Sequence, residues 1–212
     1  GETEHHSVAL TAFYISRNEV SVAQFKTCVD AGICGRAHFD VANPCPFEDR
    51  NGENLPMSCV DWSGAAEYCR FVGGRLPTEA EWEGAGADYG GRAYPWGQDT
   101  PDSTRANFAD RTAGNEGTAF PFDRERDDGH ARSAPVGSFP RGATPTGIQD
   151  LSGNVAEWTA DWFRPSGYPP AAGLAAPKEN PQGPCNGRSP CPGHTKRVVK
   201  GAGYTAFPVE MR

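Results

Sequence analysis

No stretch of this chain approaches the roughly 20 consecutive apolar residues that a bilayer-crossing helix requires, which excludes membrane insertion by such a helix. Nor is there a basic run. The 212 residues carry 20 Lys and Arg against 27 Asp and Glu, a formal charge of −7, whereas a surface that tracks phosphates needs clustered cations. A nucleic-acid partner is therefore not expected. Cys-x-x-Cys is missing as well, and Cys191 with His194 supplies only half of a zinc shell. Gly (26) and Pro (19) exceed a fifth of the chain, but they are interleaved with Trp, Phe and Tyr. That composition belongs to a packed, loop-rich fold rather than to a disordered one. The length suits one domain spanning 1–212.

What the chain does have is cysteine and clustered acid. Seven cysteines stand at 28, 34, 45, 59, 69, 185 and 191. Cys28 with Cys34, and Cys185 with Cys191, are each separated by five residues in segments containing Gly, Asn or Pro, a spacing that closes small disulfide loops. Cys45 with Cys59 would pin the unperiodic stretch between 35 and 56, which leaves Cys69 without a partner. Disulfides need an oxidising compartment, so an extracytoplasmic or secreted location is expected. Acidic residues gather with Asn and Gly between 123 and 128 and between 150 and 157, and such oxygen donors suit a hard cation.

Alternation of Val8, Leu10, Phe13 and Ile15 predicts an early strand over 7–16 with one buried face. Ser21-Val-Ala-Gln24 has the form of a capping box, and Val22, Phe25, Cys28 and Val29 follow at helical spacing until Gly32. Asp61 can cap a second helix whose Ala65, Cys69 and Val72 share one face, with Cys69 buried, before Gly73-Gly74 ends it. Thr78-Glu-Ala-Glu81, directly after Pro77, is another capping box and starts a third short helix. From residue 92 onward short strands between long loops are expected. The fold class is α+β, irregular, with few short helices and strands.

Gly74-Arg-Leu-Pro-Thr-Glu-Ala-Glu-Trp-Glu83, then Tyr94-Pro-Trp-Gly97, then Gly153-Asn-Val-Ala-Glu-Trp-Thr159 with Asp161-Trp162, together resemble the signature of the formylglycine-generating-enzyme (sulfatase-modifying-factor) family. Asn18-Glu-Val, Pro135-Val-Gly-Ser-Phe-Pro140 and Arg197-Val-Val-Lys-Gly201 extend the likeness over nearly the whole chain. The resemblance implies a compact fold of the C-type-lectin-like kind, its long loops held by bound ions. Trp82, Trp96 and Trp158 are the natural core anchors of such a fold, and Arg75 with Glu83 would form a buried ion pair.

In that family one calcium is held by the segment entering the Gly-Asn-x-x-Glu-Trp motif. The matching positions here are the Asp150 side chain, the Gly153 and Val155 carbonyls and the Glu157 carboxylate. The residues alone make sense of this: two carboxylates seven positions apart bracket a Gly-Asn turn that can aim carbonyls inward, and calcium prefers such an oxygen-only shell. The second family site maps onto Asn107 with the Phe108 carbonyl, and onto Asp128 with the His130 carbonyl, the His130 imidazole being expected to stay exposed. One or two Ca2+ ions are thus the cofactors the resemblance implies.

Enzymes of the family oxidise a cysteine of client sulfatases to formylglycine with copper held by two active-site cysteines, and soft thiolates are what Cu(I) needs. Those positions align here with Ala206 and Met211, so no copper is expected and no catalytic residue is assigned. Other branches carry out non-haem iron chemistry with histidines from a separate helical domain, and His5, His6, His38, His130 and His194 show no two-His-one-carboxylate spacing. The expected function is a non-catalytic, calcium-stabilised module that presents Tyr204, Phe207 and Glu210 to a protein or glycan ligand. It resembles modules attached to bacterial signalling kinases and proteases. The alternatives are a formylglycine-generating oxidoreductase and a variable binding protein of a diversity-generating retroelement. The resemblance also implies a further strand past residue 212, often with a cysteine for the position of Cys69, supplied by another chain or segment.

Overall fold

The computed structural model describes residues 8–35, 45–48, 51–87, 91–117, 119–165 and 178–210. Its helices begin where the sequence supplies caps. Ser21 Oγ accepts from the Gln24 N–H at 3.3 Å while the Gln24 side chain accepts from the Ser21 N–H at 2.9 Å, so α1 (Val22–Asp30) starts with orphan donors satisfied from both directions. Asp61 accepts from the Gly64 N–H at 2.8 Å and opens α2 (Trp62–Phe71). Thr78 and Glu81 exchange the same pair of bonds at the start of α3 (Glu79–Ala87). A fourth helix, α4 (Arg111–Asn115), was not expected. Its cap is Asp110, whose side chain accepts from the Thr112 and Ala113 N–H groups.

The early strand is shorter than the alternation suggests. Only β1 (Val8–Ala9) finds a partner, the parallel β3 (Lys178–Glu179). Phe13 and Ile15 are half-buried between the exposed Tyr14 and Ser16, so the alternation is real, but among the described residues no ladder meets it. The second sheet is the antiparallel pair β2 (Glu157–Trp162) and β4 (Arg197–Lys200), registered Glu157 to Lys200 and Trp158 to Val199, with an irregularity before Trp162 pairs with Arg197. Sheet and helices lock together through the backbone and side chains of α3. Glu79 N–H donates to the buried Asp161 carboxylate at 2.8 Å, and Lys200 bridges to Glu79 and Glu83.

One apolar core joins α1 to α2. Val22, Phe25, Cys28, Phe47, Met57 and Tyr68 are buried together, with the Phe25 and Tyr68 rings stacked at 5.6 Å and Phe47 edge-on to Phe25 at 6.4 Å. Full burial of a side chain like Phe25 is worth about 2–3 kcal/mol. From α2 the side chain buried in this core is Tyr68, with Phe71 packed against it, not the expected Ala65, Cys69 and Val72. Those three border a large cavity instead, which leaves Cys69 half-buried and Val72 58% exposed. Likewise Trp82, Trp96 and Trp158 are half-buried rather than central. Each indole N–H is committed, to the Glu157 carboxylate, the Asp99 carbonyl and the Val60 carbonyl, and an indole needs such a partner wherever it loses water.

The expected pair of Arg75 with Glu83 is also corrected. Arg75 forks onto Glu81 with both contacts at 2.7 Å, because Glu81 sits at the N3 position of α3 and faces back toward the chain entering the helix. Glu83 turns to Lys200 instead. The three disulfides form as expected: Cys28 to Cys34, Cys45 to Cys59 and Cys185 to Cys191, with Cys69 a free thiol. They point to an oxidising environment, and they exclude Cys191 as a zinc ligand. Among the described residues no helix is long and apolar enough to cross a membrane.

Candidate metal centre and ligand cavity

Between 105 and 157 the chain has almost no regular structure, yet it buries Asn107, Asp110, Asp123, Gln149, Asp150 and Asn154. Burying such groups is tolerable only when each finds a partner. Asn154 organises the region. Its Nδ2 donates to Glu19 and to the Ala134 carbonyl, and its Oδ1 accepts from the Asn107 amide and the Ala134 N–H. Its backbone N–H donates to the Asn107 carbonyl at 2.9 Å, and its carbonyl accepts from the Tyr204 N–H at 2.7 Å. Asn154 and Gly153 both have positive φ, 61° and 99°, the left-handed turn that Asn and Gly adopt most cheaply.

On one side of Asn154 lies the 107/128 group. Asp128 accepts from the Phe108 N–H at 3.1 Å and from the His130 N–H at 2.8 Å, so all four residues named from the sequence are gathered. Asn107 is 1% exposed, and its amide nitrogen is satisfied by the Arg132 carbonyl and Asn154. Its Oδ1 is buried with no hydrogen-bond partner. Burial, with the Asp110 and Asp127 charges adding to it, pushes the Asp128 carboxyl up to about 7. The group thus contains a buried acceptor without a donor and a carboxyl that resists ionisation. The His130 ring is half-buried, edge-on to Phe139 at 6.1 Å, rather than exposed.

On the other side lies the 150–157 group. Asp150 has a φ of 62° and accepts from the Gly137 N–H at 2.6 Å. Glu157 opens β2 and accepts from the Trp82 indole. Burial raises both carboxyls, Glu157 to about 7, with the Asp150 charge contributing there. Glu19 completes an acidic trio that the sequence pattern does not assemble: it is buried, and its carboxyl is driven up by desolvation and then by the Glu157 and Asp150 charges. The only signal for it in the sequence is its place in Asn18-Glu-Val. Among the described residues no group of three or more His, Cys, Asp or Glu side chains is arranged to hold a metal, so either shell would depend on amide and backbone oxygens as well.

Tyr204 lines a cavity of about 820 Å³ together with Phe13, Ile15, Val60, Leu76 and Val155. Phe207 and Glu210 are exposed and lie outside its lining. Glu210 instead accepts from the Phe207 N–H at 2.8 Å, closing the turn Pro208–Glu210. Ala206 is half-buried and its carbonyl accepts from the Ala109 N–H at 2.9 Å, which ties this segment to the 107/128 loop. Met211 lies outside the described residues, as do His5, His6 and His38. Cys69, the free thiol, borders the same cavity, and burial holds its pKa up, against the action of Arg70.

Comparison with known proteins agrees with this architecture. A family model for the sulfatase-modifying factor enzyme 1-like domain matches residues 1–212. The chain is 32% identical to the formylglycine-generating enzyme of Streptomyces coelicolor over 245 aligned positions, covering 96% of this chain and 71% of that protein. It is 39% identical over 114 positions to the inactive C-alpha-formylglycine-generating enzyme 2 of Mus musculus, covering 53% of this chain and 34% of that one. It spans 35% to 45% of the length of several other curated formylglycine-generating enzymes. Among solved structures, PvdO from Pseudomonas aeruginosa matches with a TM-score of 0.63 at 21% identity, covering 93% of this chain and 70% of that one. At that identity the likeness is one of fold.

Proposed function

The chain belongs to the sulfatase-modifying factor family, and from that membership we propose that it is a non-catalytic binding module, braced by calcium and working outside the cytoplasm. The observation that carries the brace is the buried, unpartnered Asn107 Oδ1 beside Asp128. Asn107 and Asp128 with the Phe108 and His130 carbonyls would hold one ion, and Asp150 and Glu157 with the Gly153 and Val155 carbonyls a second. When bound, calcium supplies the positive charge that lets these buried carboxylates ionise. Asn154 couples both groups to the Tyr204 backbone, so bracing the loops also fixes one wall of the larger cavity.

The non-catalytic reading rests on Ala206, which stands where the resemblance places a copper-binding cysteine, and one mouse relative carries the word inactive in its name. The cavity beside Tyr204 is lined largely by apolar side chains, which favours a protein segment over a sugar as its occupant. Two experiments test the proposal. At a hundredfold excess over Kd, calcium should add about 2.7 kcal/mol to apparent stability, read as a melting temperature that a chelator lowers, with Asn107→Ala and Glu157→Ala each blunting the response. An unchanged melt would remove the calcium brace. Incubating the copper-loaded chain with a cysteine-containing sulfatase peptide should yield no aldehyde by mass spectrometry, and its appearance would restore the enzyme.

A further inference from the structure

A second cavity, of about 230 Å³, shares, among the described residues, only Arg75 and Leu76 with the one beside Tyr204. Its floor is buried, formed by Ala66, Leu76 and Thr78. Its rim is exposed and polar: Arg70 from the last turn of α2, Gln182, and Asn186 and Arg188 from the loop closed by the Cys185 to Cys191 disulfide. The neighbouring cations are already committed. Arg75 forks onto Glu81, and the Arg197 guanidinium lies between the Trp62 and Trp162 rings at 3.7 and 3.6 Å. Arg70 and Arg188 are not: among the described residues neither has an acidic partner, and the Gln182 and Asn186 amides make no side-chain hydrogen bond. In a chain of formal charge −7 this is a local excess of unspent positive charge.

The rim is also held in place. Arg197 donates to the Gly187 carbonyl at 2.9 Å and to Ser189 Oγ at 2.6 Å, while the Trp162 indole donates to the Arg188 carbonyl at 2.8 Å. The loop that presents Asn186 and Arg188 is therefore fastened to the β2–β4 sheet on one side and closed by a disulfide on the other. A fixed backbone carrying unpaired donors over a buried floor is a pre-organised site, since little ordering cost remains at binding.

We propose that this cup binds one acidic sugar unit, a polyhydroxylated ring bearing a carboxylate or sulfate. Guanidiniums match oxyanions in fork geometry, and primary amides both donate and accept, as ring hydroxyls require. The volume lies below the roughly 300–1,000 Å³ of sites for drug-sized ligands, which argues against a nucleotide. A zwitterionic amino acid is disfavoured because, among the described residues, no carboxylate lines the cup to receive its ammonium group.

The test is a titration of the calcium-supplemented chain with glucuronate, glucose and inorganic sulfate, read by tryptophan fluorescence and by the Trp62 indole NMR resonance. Glucuronate should bind about tenfold or more tightly than either glucose or sulfate, and Arg70→Gln and Arg188→Gln should each weaken it by about tenfold. Both side chains are exposed, so an unchanged melting curve will show that the variants fold. Gln182→Ala should lower affinity for glucuronate while leaving sulfate unaffected. Equal binding of glucose and glucuronate would overturn the role of the arginines. Sulfate binding as tightly as glucuronate would overturn the sugar, and no saturation by glucuronate would overturn the site.

Discussion

Between residues 20 and 71 the buried side chains are mostly apolar, Val22, Phe25, Phe47, Met57 and Tyr68 among them. Between 105 and 157 many are polar or acidic: Asn107, Asp110, Asp123, Asp150, Asn154. The first region is held by area removed from water, which is non-directional, so a substitution there costs in proportion to what it deletes. The second is held by named pairs of atoms. Deleting one side chain there strands its partners, and each stranded buried group costs about 1–3 kcal/mol. Two kinds of core thus share one chain, and they should respond differently to mutation, to ions and to pH.

The largest expected effect is at Asn154. Asn154→Ala strands the Ala134 N–H and carbonyl and one oxygen of Glu19, for a loss of about 4 kcal/mol. That is as much as Phe25→Ala, about 3–5 kcal/mol, although far less apolar area is removed. Urea unfolding of both variants makes the comparison, and a loss under about 1 kcal/mol at Asn154 would break it. Next comes a calcium-dependent effect at Asp128. With a chelator present, Asp128→Asn should cost little, because relief of a buried group that resists ionisation offsets the loss of one acceptor for the Phe108 or His130 N–H. With calcium present it should cost up to about 2.7 kcal/mol of the ion's contribution. Val22→Ala, in the apolar region, should lower stability equally in both buffers.

A smaller effect separates the regions by pH. Burial pushes the Glu81 carboxyl up, but hydrogen bonds from Arg75 and the Thr78 N–H outweigh it and hold it below its ordinary value of 4.5. A lowered folded pKa means that the stabilisation is present above that ordinary value and is lost as pH falls through the folded one. Glu81→Gln should therefore cost about 1–2 kcal/mol at pH 7, discounted because Arg75 is largely exposed. The gap from wild type should close below about pH 4. A gap that is constant with pH would assign the loss to packing.

What could be read in the sequence follows the same division. Capping boxes at Ser21 and Thr78, and the pairing of six cysteines, are local patterns that the fold bears out. The gathering of Asn107 and Asp128 came through resemblance, since their distance in sequence says nothing about contact. Glu19 was missed because its partners, Asn154 and Val155, lie 135 and 136 positions away. Periodicity cannot register such contacts. Helix α2 was misread for a different reason: two of its sides approach protein, one packed and one facing a cavity, and hydrophobic spacing does not distinguish them. Arg75 found Glu81 rather than Glu83 because a capping position sets where a carboxylate points, which residue type alone does not.

The smallest expected effect is at Phe207, and it tests whether the segment between 201 and 210 belongs to either kind of core. Its backbone is held without the ring: the Ala206 carbonyl accepts from Ala109, and Glu210 accepts from the Phe207 N–H. The ring itself is 37% exposed and lies outside the lining of the Tyr204 cavity. Phe207→Ala should therefore cost at most about 1 kcal/mol of stability and leave the calcium response intact. Tyr204→Ala, which removes a cavity wall beside the Asn154 hydrogen bond, should cost more than Phe207→Ala. If a partner covers the exposed ring, its loss should weaken that complex by about fivefold or more. Thermal melts of the two variants, with and without calcium, rank them. Unfolding of Phe207→Ala would place the segment in the apolar core and move the proposed recognition surface onto the cavity beside Tyr204 alone.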